Sequence, residues 1–211
     1  MAEGYRKSPT RDTLESLVVT VILAVFGTTF VVQAFKIPSG SMKETLQVGD
    51  HILVNKFVYT FTAPGRGDVI VFKFPQDESR DFVKRVIGLA GETLEIREGR
   101  VSVDGKPFEE PYAVHLDGGG RGDGRRSRES FGPVKVPEGH LFVMGDNRDS
   151  SQDSRYWGFL NAQKIRGRAF MVYFSWRSDP DGPQWWPVRI AYMLARIPWN
   201  VRWNRIGKIV R

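Results

Sequence analysis

Between Glu15 and Lys36 the chain runs for twenty positions without a charged side chain. Leu17–Phe35 reads LVVTVILAVFGTTFVVQAF. A helix rises 1.5 Å per residue, so about 20 such residues span a hydrocarbon core of roughly 30 Å. The pattern predicts one transmembrane anchor over residues 17–36, preceded by a cytoplasmic N-terminal tail, residues 1–16. A cleaved secretory leader is the alternative, since Val32-Gln33-Ala34 sets small residues where a cut after Ala34 would fall. A leader's apolar core is usually about 7–15 residues, and this run is longer. Arg6, Lys7 and Arg11 precede the span and Lys36 and Lys43 follow it, so charge orients it only weakly. The short tail is the easier end to leave in the cytoplasm. That places the rest of the chain on the extracytoplasmic side of the cytoplasmic membrane.

The remaining sequence supports one ordinary domain. With 211 residues, 41% hydrophobic and 26% charged, disordered and collagen-like classes are excluded. There is no cysteine, hence no disulfide, thiolate nucleophile or thiolate metal site. The net charge of +7 is concentrated in residues 183–211, which hold six basic residues and no acidic one. A near-neutral domain with a basic tail fits better than a nucleic-acid-coating surface. The tail also carries Trp185, Trp186, Trp199 and Trp203. Tryptophan with arginine suits the lipid headgroup zone; an aromatic cap packed on the domain is the plainer reading. Val188–Ile197 is predicted as a short helix stopped by Pro198.

From residue 50 onward the pattern is one of short strands. Candidates are Ile52–Tyr59, Val69–Phe74, Phe82–Leu89, Thr93–Arg97, Arg100–Val103, Lys106–Phe108, Val134–Val136, His140–Met144 and Arg168–Trp176, with Glu98-Gly99 and Asp104-Gly105 as hairpin turns. No helix of twelve or more residues is expected between 50 and 180. The fold class is mainly β, with coiled antiparallel sheets or a partly open barrel and one N-terminal transmembrane helix. The β-rich domain covers residues 37–182, and its Gly- and Arg-rich stretch, residues 116–130, reads as a flexible loop.

Three segments carry chemistry. Pro38-Ser39-Gly40-Ser41 lies just beyond the apolar run, where Gly40 gives the backbone freedom to present Ser41. Taken alone it is a common loop. A serine nucleophile needs a base, and none of His51, His115 and His140 sits in a recognisable triad context. Lysine is the alternative, provided it is desolvated, because its ordinary pKa of about 10.4 keeps it protonated. In an extended Phe82-Val83-Lys84-Arg85-Val86, Lys84 shares a face with Phe82 and Val86, while Arg85 points the other way and stays solvated. A lysine snorkelling at a sheet edge is the competing account. The third segment, Gly145 to Gly158, is polar and follows an apolar strand. It suggests a loop buttressing a site; its spacing is not that of an EF-hand calcium loop.

Together these segments resemble bacterial signal peptidase I, the membrane-bound leader peptidase family. The resemblance rests on PSGSM with Thr45-Leu46, on Gly49 to Lys56, on Arg66 to Phe72 with Lys84 to Gly88, and on GDNRDSSQDSRYWG. It implies a Ser-Lys dyad endopeptidase that cleaves signal peptides from exported preproteins after small residues, without cofactor, metal or nucleic acid. Residue by residue it implies Ser41 as nucleophile and Lys84 as general base. Ser39 would join the Ser41 N–H in the oxyanion hole, and Ser151 would orient the lysine. Asp153 with Arg155 would form a structural ion pair, and Asp146 and Arg148 would be structural. Ile37, Pro38, Leu46, Ile52, Phe82 and Val83 would line the substrate pockets. The partners implied are preprotein signal peptides and membrane lipid. Glu44 stands where the family usually has proline. No family role attaches to the tail, and its deletion is expected to leave cleavage in detergent intact. The competing readings are a self-cleaving repressor-type Ser-Lys protease, a His-dependent hydrolase and a non-catalytic membrane-tethered β-module.

Overall fold

The computed structural model describes residues 9–27, 31–115, 130–177 and 185–211. Helix α1 (Pro9–Phe26, 18 residues) carries Arg11, Asp12 and Glu15 in its first two turns. Its large apolar side chains from Leu14 to Val25 are 48–64% exposed. No helix among the described residues is long and apolar enough to cross a membrane. The helix expected over 17–36 is corrected at its C-terminal end, because Val32–Lys36 is a strand, β1. β1 pairs antiparallel with β2 (Asp50–Asn55), with Val32 opposite Asn55 and Lys36 opposite His51. Gly27 follows the helix, and the β-branched and aromatic residues after it suit a pleated edge. Ala34 lies within that ladder, opposite Leu53.

The rest of the described chain is mainly antiparallel β, as expected. β3 (Val69–Phe74), β4 (Asp77–Gly88), β9 (His140–Met144), β10 (Leu160–Asn161) and β11 (Ile165–Ser175) join β1 and β2 in a seven-stranded sheet ordered β1-β2-β11-β3-β4-β9-β10. β5 (Thr93–Arg97), β6 (Arg100–Val103), β7 (Lys106–Pro107) and β8 (Phe131–Lys135) form a second sheet ordered β7-β6-β5-β8. Neither sheet closes into a barrel. The strand expected to reach Tyr59 stops at Asn55 and gives way to a helical turn, α2 (Val58–Phe61). Asn55 Oδ1 accepts from the backbone N–H groups of Phe57 (2.9 Å) and Val58 (3.0 Å), which turns the chain out of the sheet. The loop expected at 116–130 lies, except for Ser130, outside the described residues.

One core cluster holds residues on either side of Ser41 together with the strands: Ile37, Met42, Leu46, Ile52, Val54, Val69, Val71, Ala169, Val172 and Val210. Each fully buried aliphatic chain of this kind contributes roughly 1.5–3 kcal/mol. Val210 belongs to the C-terminal tail, so that tail is not a detachable appendage. After α4 (Trp186–Ala195) and α5 (Ile197–Asn200), residues 201–210 run along the edge of β11 that β3 leaves at Arg168. Val210 N–H donates to Phe170 O (3.0 Å), Gly207 N–H to Val172 O (2.8 Å) and Arg202 N–H to Ser175 O (3.0 Å). The expectation that residues 183–211 are dispensable for cleavage is revised accordingly.

Between Ser41 and β2 the chain makes a tight loop in which Glu44 has φ +81°. That conformation costs an L-residue roughly 1–2 kcal/mol. It also excludes proline, whose ring fixes φ near −65°. Glu44→Gly is expected to raise the melting temperature by about 2–4 °C, the shift that corresponds to about 1 kcal/mol for a domain of this size. Glu44→Pro is expected to lower it. Differential scanning calorimetry checks both.

Candidate active site

The sheet delivers two arms to one cleft. The first continues β1: Ile37 N–H donates to Asp50 O (2.8 Å) and Gly49 N–H to Ile37 O (3.0 Å), so the ladder persists up to the Pro38–Ser41 turn. The second is β4, on which Lys84 stands opposite Ile70 of β3. Lys84 Nζ donates to Ser41 Oγ at 2.8 Å and to Val83 O at 3.0 Å. Its side chain lies over the Phe82 ring, with Nζ 5.2 Å from the centroid, and the residue is 3% exposed. Burial pulls the amine down to about 8, against the opposing pull of the Asp153 and Asp146 carboxylates. An amine so placed is partly neutral near pH 7 and can receive a proton from the hydroxyl it touches. Ser39 Oγ stands 3.5 Å from Ser41 Oγ, on the same arm.

The loop after β9 supports these arms through buried ion pairs. Arg85 is 1% exposed, not solvated as its alternation in the strand suggests. It grips Asp146 with Nε (2.8 Å) and Nη2 (2.6 Å), and its guanidinium lies 3.8 Å from the Tyr112 ring centroid. The reason is that β4 is covered on both faces, so the outward-pointing residue also needs a buried partner. Asp153 takes Arg155 Nε and Nη2, each at 2.9 Å, and also accepts from Gly145 N–H (3.0 Å). Arg148 forms a bidentate pair with Glu110 at 2.7 and 2.6 Å.

The hydrogen bonds of the Lys84 amine go to Ser41 and Val83, and Ser151 Oγ is buried without a hydrogen-bond partner among the described residues. Its side chain packs over Gly145, where a Cβ would collide with Ser151 Oγ and with the Ser41 carbonyl oxygen. Gly145 is therefore needed for close approach between the Ser41 backbone and the loop. Asn147 closes the same contact. Its N–H donates to Ser41 O and its Nδ2 to Gly40 O, both at 3.1 Å. Sequence reasoning passed over Asn147, Gly145 and Glu110. The first two stand inside the GDN motif and were legible as part of it. Glu110 is 38 positions from its partner and carries no local signal.

The cleft holds about 500 Å³ and is lined by Ile37, Pro38, Ser39, Ser41, Met42, Phe82, Val83 and Lys84, with Arg80, Asp81, Ser150 and Gln152 around its mouth. Leu46 and Ile52, expected in the pockets, are fully buried in the core behind it. They sit on inward-facing positions and shape the wall without lining it. β9 pairs with β4 only from Arg85 to Gly88, which leaves the Asp81–Lys84 edge facing the cleft. None of His51, His115 and His140 lines the cleft. Among the described residues no three His, Asp or Glu side chains gather to hold a metal ion.

Replacing the buried amine with an apolar chain of similar length removes its desolvation penalty. Lys84→Met is expected to be more stable than the parent by about 1–3 kcal/mol at pH 7. Because the folded-state value of about 8 lies below the ordinary 10.5, the unfolded chain binds the extra proton between those values, and parent stability rises across that interval. The advantage of Lys84→Met is therefore full below pH 8 and shrinks as pH climbs toward 10.5. Urea denaturation at several pH values measures it.

Comparison with known proteins identifies the family. The signal peptidase, peptidase S26, family matches residues 10–176. Signal peptidase I of Aquifex aeolicus is 34% identical over 250 residues, covering 94% of this chain and 98% of that protein. Signal peptidase I of Leptolyngbya laminosa is 39% identical over 79% of this chain and 81% of its own. That of Pseudomonas aeruginosa is 35% identical over 84% and 81% respectively. A solved signal peptidase I from Enterococcus faecalis aligns at 32% identity with a TM-score of 0.41, covering 51% of this chain and 97% of its own. With a match that runs from the start of α1 past the end of β11 and relatives aligned over most of their length, this chain belongs to the signal peptidase family, peptidase S26.

Proposed function

We propose that this protein is a membrane-anchored serine endopeptidase that removes N-terminal signal peptides from exported preproteins, with Ser41 as nucleophile and Lys84 as general base. The observation that carries the reading is the 2.8 Å hydrogen bond between Lys84 Nζ and Ser41 Oγ in a desolvated setting. Neutral Lys84 takes the Ser41 proton as Oγ bonds to the scissile carbonyl carbon. The carbonyl electron pair moves onto oxygen, where the Ser39 hydroxyl and the Ser41 N–H donate to it. The intermediate collapses, and the Lys84 ammonium gives its proton to the departing amine. Water then attacks the acyl-enzyme ester, with Lys84 again taking a proton, and Ser41 Oγ recovers its own.

The substrate lies extended between the Ile37–Ser39 arm and the open edge of β4, adding itself as a strand. Ile37, Pro38, Phe82 and Val83 leave room only for small side chains at the first and third positions before the cut. Steric exclusion sets that preference. α1 displays a continuous set of exposed apolar side chains and needs a cover. The bilayer of the cytoplasmic membrane supplies it, with the catalytic domain on the extracytoplasmic face. The exposed Trp185, Trp186, Trp199 and Trp203 suit the same boundary.

Ser41→Ala and Lys84→Ala are each expected to reduce preprotein cleavage by about 10³-fold or more while leaving the domain folded. Substantial turnover by Lys84→Ala overturns the assignment of the base. The base works only when neutral, so kcat/KM should rise about tenfold per pH unit below about 8 and level off above it. A rate unchanged from pH 5 to pH 9 is incompatible with the proposal. Mass spectrometry of the products locates the cut.

A further inference from the structure

The loop between the nucleophile and β2 is held from the far end of the chain. Arg205 is 6% exposed and clasps fully buried Asp50, with Nε 3.0 Å from Oδ1 and Nη2 2.5 Å from Oδ2. The same Nη2 donates to Thr45 O at 3.0 Å. Arg202 donates to Gln47 Oε1 (2.7 Å), to Val48 O (2.6 Å) and to Ser175 Oγ (2.7 Å), and Ser175 Oγ in turn donates to Asp50 Oδ1 (2.6 Å). Lys208 Nζ reaches Glu44 O at 3.4 Å. Three basic side chains of the last ten residues thus hold five of the seven positions from 44 to 50. All three lie beyond residue 176, where the family match ends.

That loop is tied to the dyad from its other side. Thr45 Oγ1 donates to Asp146 Oδ2 at 2.5 Å, and Arg85 Nη2 donates to Thr45 Oγ1 at 3.3 Å. Asp146 is the partner of Arg85, which follows Lys84 in β4. Leu46 N–H donates to Met42 O (2.7 Å), which couples the loop to the turn that presents Ser41. Thr45 is therefore gripped at its carbonyl by the C-terminal strap and at its hydroxyl by the ion pair beside the base. Glu44, held in the left-handed region just before it, adds a conformation that the loop does not favour by itself.

We propose that Arg205 is a positioning residue for the reaction: by gripping Thr45 O and Asp50 together, it sets the register of the loop that carries Ser41 to Lys84. The inference rests on the assignment of Ser41 as nucleophile. It distinguishes two functions of one guanidinium. The charge pair with Asp50 secures the fold, and the forked reach to Thr45 O places the nucleophile. Lysine retains the first and, with all its donors on one nitrogen instead of a planar fork, loses the second.

The test compares the full chain with Arg205→Lys, Thr45→Val and Ser41→Ala, using a purified preprotein in detergent and thermal melting. The expected result for Arg205→Lys and Thr45→Val is a folded protein, with kcat lowered tenfold or more, KM changed less than threefold and the alkaline rise of the pH profile kept at the same pH. Thr45→Ser, which restores the hydroxyl, is expected to recover most of the kcat. Wild-type kcat in Arg205→Lys and Thr45→Val, with Ser41→Ala inactive, overturns the positioning role and leaves the nucleophile assignment standing. A fall in kcat that tracks lost melting temperature and is not recovered by Thr45→Ser also overturns it, in favour of a purely structural clasp. Cleavage by Ser41→Ala removes the nucleophile assignment and this inference with it.

Discussion

Lys84 is an amine taken out of water next to two carboxylates, and its protonation state depends on how those carboxylates are engaged. Left alone, buried Asp146 and Asp153 would hold the ammonium charged. Each is instead bound by its own guanidinium, Asp146 by Arg85 and Asp153 by Arg155. Burial outweighs the attraction of both carboxylates for Lys84 and pulls the amine down to about 8. Removing one member of such a buried pair costs about 3–5 kcal/mol, because an uncompensated charge stays behind.

Ser41 reaches that amine along a sheet edge. β1 runs antiparallel to β2, and the ladder continues through Ile37 before the chain turns at Pro38. A helix ending at the same point would leave Ser41 on a free loop. The strand instead fixes its origin to within the geometry of backbone hydrogen bonds. Beyond Ser41, the turn is held by Asn147 on one side and by the C-terminal strap on the other. Residues more than one hundred positions apart thus converge on ten residues of chain, and the order of the site comes from those long-range closures rather than from local preference.

Much of this was legible in the linear chain. The strands from Val69–Phe74 to His140–Met144 follow from runs of β-branched and aromatic residues cut by Gly-containing turns. Ser41 and Lys84 were singled out by likeness to the signal peptidase motifs, since their residues alone read equally as a common loop and a lysine at a sheet edge. Other features were not legible, for identifiable reasons. Alternation in β4 put Arg85 in solvent, since a periodicity of two says which residues share a face and nothing of what covers the other face. Leu46 and Ile52 were placed in the pockets on likeness alone, and their depth in the core depends on packing against Val210. The apolar run to Phe35 read as helix throughout, whereas pairing with β2 claims its end.

The sequence by itself determined a mainly β domain behind an apolar N-terminal helix, because residue type and short-range period are local properties. Only the tertiary structure decided that the amine is dry, that Ser151 packs over Gly145, and that the last ten residues clamp the loop after Ser41. Desolvation, ion pairing and strand addition depend on what lies across space from a residue, and that distance is not written in its neighbours along the chain.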